Sequence, residues 1–153
     1  MSKTNPGNFF EDFRIGQTIR HATPRTVTVG DVALYTALYG SRFAVQSSDA
    51  FAKAIGYRHA PVDDLLVFHV VFGKTVPDIS LNAVANLGYA ACRFLAPVYP
   101  GDTLTSTWVA GDPAASGSGS RSVLKLEGEC RNQSGALVAE GHVLILAELA
   151  RPD

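Results

Sequence analysis

The stretch LYGSRFAVQSSDAF, residues 38–51, places Ser41, Gln46, Ser47 and Ser48 between two helical patterns, with one carboxylate, Asp49. Hydroxyls and amides orient water or grip a ligand, but neither titrates near neutral pH, so this set holds rather than transfers protons. Asp49 falls in the first turn of a helix, where a carboxylate favours the helix dipole; as the carboxylate nearest the loop it is also a catalytic candidate. Asp63 and Asp64 open a third helical segment. Such a pair reads either as helix capping or as one acid and one base with separated pKa values. His69, inside the apolar run LLVFHVVFG, is the best imidazole candidate, with a hydrogen-bonded core histidine as the alternative. His59 precedes APVDD in a loop close to the same helix start, whereas His21 and His142 sit in strand patterns and read as structural. For an anionic ligand the available cations are Arg42, Arg58, Lys74 and Arg93, each with solvated surface as the alternative. Arg42 lies in the loop itself, where it could pair with a free carboxylate.

These groups need elements to position them. Residues 15–29, IGQTIRHATPRTVTV, form an extended segment that Pro24 bends or confines to a sheet edge. GDVALYTALYG then gives a helix starting behind Asp31, ended by Gly40, with a broad apolar face for covering a sheet. Ser47 or Ser48 caps a two-turn helix that stops at Gly56. The next helix starts after Pro61, runs from Asp63 to about Lys74 and is stopped by Pro77; its nearly continuous apolar character predicts burial on most sides. Four strand patterns follow, spaced as an antiparallel meander, with turns at PGD, DPAASGSGS and NQSG. Residues 114–120 read as a flexible hairpin tip. Helices followed by an antiparallel sheet, with one very apolar helix, predict an α+β chain: a single hot-dog fold, in which a curled antiparallel sheet wraps around a central helix. The unpaired edges of such a sheet favour a homodimer or higher oligomer.

At 153 residues, 46% hydrophobic and 18% charged with a formal net charge of −1, the chain is sized for one domain: residues 1–8 as a flexible lead and 9–150 as the hot-dog domain. The charge balance argues against nucleic acid or an anionic membrane as partner. The longest apolar run is much shorter than the roughly 20 residues of a membrane span, and the N-terminus lacks the apolar core of a secretory signal, so a cytoplasmic location is expected. Cys92 and Cys130, in separate strands without CxxC spacing, read as buried free thiols, with no metal site.

FEDFRIGQTI, residues 10–19, and FLAPVYPGDTLT, residues 94–105, resemble the MaoC-like dehydratases, hot-dog proteins that add water to acyl-CoA thioesters or remove it. Residues 21–56 and 63–90 are similar to the amino-terminal half of the mesaconyl-CoA hydratases, also called β-methylmalyl-CoA dehydratases, within a likeness covering residues 8–107. The resemblance implies a hydro-lyase acting on a branched dicarboxylic enoyl-CoA, with the thioester as substrate and no further cofactor. Those relatives are usually double hot-dog chains, which implies a second hot-dog unit as partner. The family's opening loop carries Asp-x-Asn-Pro-x-His; laid on this chain, Ser41 stands at the Asp, Phe43 at the Asn, Ala44 at the Pro and Gln46 at the His. Asp63 and Asp64 stand where the broader family has His-Gly, whose glycine amide is an oxyanion donor. Besides a self-contained hydratase, two readings follow: a non-catalytic acyl-CoA-binding subunit paired with a catalytic partner, and, less favoured, a thioesterase using Asp63 or Asp64.

Overall fold

A computed structural model describes residues 6–21, 24–41, 43–111, 114–115 and 121–148. Strict alternation builds its sheet. Along β4 (Thr103–Ala110), Leu104, Ser106, Trp108 and Ala110 are buried and the residues between them are not, so one face meets the core. The extended N-terminal segment supplies β1 (Thr18–Arg20) and β2 (Arg25–Thr26), both antiparallel to β4 on either side of Pro24. With β3 (Ala83–Phe94), β5 (Ala114–Ala115), β6 (Arg121–Arg131) and β7 (Leu137–Glu148), the order is β1-β4-β6-β7-β3, with β2 on β4 and β5 on β6.

The expected meander therefore holds for β4, β6 and β7 but not for the first long strand, because β3 pairs with β7 at the far edge. The connection over residues 95–102 is too long for a tight hairpin. It crosses beneath the helical layer instead, where Val98 is 3% exposed and its carbonyl accepts from Val62 N at 2.8 Å. Of the predicted flexible tip, residues 114–115 form β5 and residues 116–120 lie outside the described residues. Within the predicted lead, Asn82 Nδ2 donates to the Pro6 carbonyl at 2.8 Å and Asn8 Nδ2 to the Asp78 carbonyl at 2.6 Å; residues 1–5 lie outside the described residues.

Among the described residues the α-helices are α1 (Val29–Tyr39), α2 (Ala44–Ser47), α3 (Asp49–Ala54) and α4 (Asp64–Gly73), with a 3-10 turn at Phe10–Asp12 and a π-helical turn at Val76–Ser80. A reciprocal capping box starts α1: Thr28 Oγ1 accepts from Asp31 N at 3.1 Å and Asp31 Oδ2 accepts from Thr28 N at 2.8 Å. Those Thr28 hydrogen bonds, with Arg25 beside the carboxylate, hold Asp31 below the usual carboxylate range. Ser48 caps α3 through Phe51 N at 3.2 Å. Gly40 at φ 73° ends α1, and a residue with a Cβ would be strained there.

α4 lies across the concave face of the sheet and buries Val67 and Val70 against Val27, Val98, Leu104 and Val138, the hot-dog arrangement expected from its composition. Two expectations are corrected. α4 is not buried on most sides: Leu65 is 40% exposed and His69 is exposed, because the helix meets the core through the flank that carries Val67 and Val70. α1 buries no residue fully; Val32 reaches the core, while Leu34 and Leu38 face outward at 63% and 67% exposure. Apolar pattern located both helices but could not say which apolar face this chain itself covers. Cys130 is buried as expected, whereas Cys92 is exposed. It sits in a register shift of the edge strand β3 between Ala90 and Arg93, which takes its side chain out of regular alternation. Among the described residues no helix is long and apolar enough to cross a membrane.

Candidate functional site

The end of α1, the short α2 and the start of α4 converge on a small cleft. Ser41, Gln46 and Asp63 line it with Val32, Tyr35, Thr36, Gly40 and Leu66, around a volume of about 10 Å³, close to that of a single water. The loop residues with hydroxyl and amide chemistry are therefore brought against the helix start, as their order in the chain suggests. Gln46 Oε1 is buried with no hydrogen-bond partner among the described residues. Buried polar atoms nearly always find one, which leaves this oxygen able to accept a hydrogen bond from a ligand. Gln46 also faces a wider groove of about 270 Å³, shared with Phe43, Tyr57, Asp64 and Leu95.

The two aspartates separate. Asp63 is 7% exposed and its Oδ1 accepts from Leu65 N at 2.8 Å, so it caps α4. Asp64 is exposed in the first turn, on the wider groove. Asp49 Oδ1 accepts from Ala60 N at 2.7 Å, fastening the loop after α3 to that helix's first turn, while Ser48 serves as its cap. Arg42 lies outside the described residues.

The remaining predicted residues go elsewhere. Arg58 and His59 gather on Tyr99: the Arg58 guanidinium carbon is 4.0 Å from the ring centroid and the His59 ring 4.5 Å from it. Arg58 also lies 3.6 Å from Asp102, a buried carboxylate that accepts from Tyr99 N and Gln133 Nε2 at 2.8 Å each. Arg93 pairs with Glu140 at 2.6 Å across β3 and β7. Against the core alternative, His69 is exposed on α4, its ring 6.3 Å from Tyr35, which links it to the cleft. Lys74 stands beyond it, and both line a groove of about 520 Å³ with His21, Arg25 and Asp78.

The constellation that residue reading missed is in that groove. His21, 5% exposed, directs Nδ1 at Asp78 Oδ2 over 2.8 Å, and its Nε2 is buried without a partner. Fifty-seven positions separate the two. A usable signal was the alternation in β1, which turns Ile19 and His21 to the same face. Among the described residues, no group of three or more His, Cys, Asp or Glu side chains could hold a metal ion.

Comparison with known proteins decides the family. A model of the MaoC like domain matches residues 11–127. The chain belongs to the MaoC-like domain family. This MaoC-like chain is 76% identical over 106 residues to the β-methylmalyl-CoA dehydratase of Chloroflexus aurantiacus, covering 69% of itself and 30% of that protein. Against the mesaconyl-CoA hydratase of Cereibacter sphaeroides it is 69% identical over 102 residues, again spanning 30% of the relative. A crystal structure of a MaoC domain protein from Chloroflexus aurantiacus superposes with a TM-score of 0.91 at 54% identity, covering all of this chain and 46% of the other. The MaoC-like chain thus spans about a third of its curated relatives and just under half of that solved chain.

Proposed function

We propose that this MaoC-like domain takes part in hydrating or dehydrating a branched dicarboxylic enoyl-CoA such as mesaconyl-CoA, as the half that holds the thioester. The observation that carries this reading is the composition of the cleft that opens beside the groove of about 270 Å³: among the described residues Ser41 and Gln46 face it, the one carboxylate lining it caps its own helix, and no imidazole lines it. Adding water to an enoyl thioester requires a base for the water, an acid for the α-carbon and donors for the enolate oxygen. Ser41 and Gln46 supply hydrogen bonds and no proton transfer. The names of the two curated relatives support the substrate class.

The acid and base then come from a second hot-dog unit. Two features support such a partner: β3 ends the sheet with one side unpaired, and α1 presents Leu34, Leu38 and Tyr39 outward. A second copy of this chain would cover the apolar face of α1 but repeats Ser41 and Gln46, so the acid and base come from a distinct catalytic subunit, in a cytoplasmic setting, with no cofactor beyond the thioester. A thioesterase reading loses support from Asp63, whose carboxylate is engaged in capping.

Calorimetric binding of mesaconyl-CoA to the purified chain tests this. Ser41→Ala and Gln46→Ala should each weaken binding by about 3- to 10-fold, the worth of one hydrogen bond. Unchanged affinity in both variants would place the ligand elsewhere.

A further inference from the structure

The groove along the second half of α4 carries a charge balance that the cleft lacks. Among the described residues its walls hold His21, Arg25, His69 and Lys74 against a single carboxylate, Asp78, which is already turned on His21 at 2.8 Å. Arg25 is engaged by Asp31 at 2.5 Å, but the Lys74 ammonium makes no ion pair or hydrogen bond among the described residues. His21 adds a second, independent mark of a binding site: it is 5% exposed, fixed through Nδ1, and keeps Nε2 without a partner among the described residues.

We propose that this groove binds phosphate, and that its ligand is the phosphate-bearing tail of the coenzyme A thioester. Distance separates this from the alternative anion, the distal carboxylate of the acyl group. From Asp63 at the cap of α4 to Lys74 just past its end, the helical rise amounts to roughly 16 Å. An acyl group seated in the groove of about 270 Å³ beside Gln46, at the start of α4, keeps its distal carboxylate a few bonds from the thioester, too close to reach Lys74. The pantetheine arm sets the diphosphate much farther off, on the scale of α4 itself. The inference rests on the acyl group lying beside Gln46 at the start of α4. Lys74 acts as a point charge for the phosphate, and the groove, open along α4, lets the arm pass His69.

Calorimetric dissociation constants for coenzyme A, pantetheine and mesaconyl-pantetheine, with the wild-type chain and with Lys74→Met and Lys74→Glu, test it. Lys74 is half-buried at the end of α4, so both variants are expected to fold, with thermal melts as the check. Coenzyme A should bind at least about ten-fold tighter than pantetheine. That advantage should shrink in high salt and disappear in Lys74→Glu, while mesaconyl-pantetheine binds all three proteins alike. Equal affinities for coenzyme A and pantetheine, or an advantage that survives in Lys74→Glu, would overturn the phosphate site. Mesaconyl-pantetheine that binds normally in that case leaves the acyl reading standing. A Lys74-dependent advantage for coenzyme A without binding of mesaconyl-pantetheine keeps the phosphate site and removes the acyl reading. Failure of all three ligands removes both.

Discussion

Burial sets the chemistry of the two thiols apart. Loss of solvation pushes Cys130 up to about 12, so its reactive thiolate is absent at any working pH, while Cys92 is exposed. Native protein at pH 8 should therefore release one equivalent of thiol to an aromatic disulfide reagent, and denatured protein two; two fast equivalents in the native state would contradict this placement. Asp31 makes a different kind of prediction. Its carboxyl is depressed by the Thr28 hydrogen bonds and by Arg25, so its contribution to stability is complete above the unfolded value of 3.8 and fades as pH falls through the folded one. Melting temperatures of wild type and Asp31→Asn should differ at pH 7, begin to approach each other below 3.8 and converge only as pH falls through the lower folded value. A gap independent of pH would assign the effect to the hydrogen bonds alone. At this scale the sequence exposed the loop chemistry, because Ser41 and Gln46 are close in the chain, but not the His21–Asp78 pair. That pair exists only because β1 and the turn after α4 meet in space, and no local pattern encodes the meeting.

Between elements, packing turns on small residues that pattern reading passes over. Gly128 on β6 stands opposite Trp108 on β4, and a Cβ there would fall 2.3 Å from the indole. Gly128→Ala should therefore cost about 1–3 kcal/mol or more, read as a lower denaturant midpoint, since the indole has to leave its place in the core. Stability within a few tenths of a kcal/mol of wild type would show that the ring shifts freely. Legibility followed the same divide. The cap of α3 at Ser48, the cap of α4 at Asp63 and the stop of α1 at Gly40 stood in the sequence, because each acts on neighbouring backbone. The start of α1 is corrected from behind Asp31 to Val29, capped by Thr28, and Pro77 does not end the helical backbone but lies within a π-helical turn, Val76–Ser80. The short α2 was missed, since four residues carry no periodicity. The pairing of β3 with β7 was missed because strand order is set by what the 95–102 connection packs against, not by the strands' own composition.

For the molecule as a whole, hydrophobic pattern overstated what one chain buries. α4 and α1 carry apolar residues on faces that this chain leaves open, and the sheet ends in a long strand paired on one side. The excess of apolar surface fits the proposal that two hot-dog units complete the site, one holding the thioester and the other transferring protons. The most direct measurement follows the conjugated thioester absorbance of mesaconyl-CoA mixed with the purified chain, alongside the chain's melting temperature. The ligand should raise the melting temperature with no decay of absorbance until a hot-dog subunit carrying the family's Asp and His is added. Turnover by this chain alone would contradict the division of labour and place the acid and base within these residues.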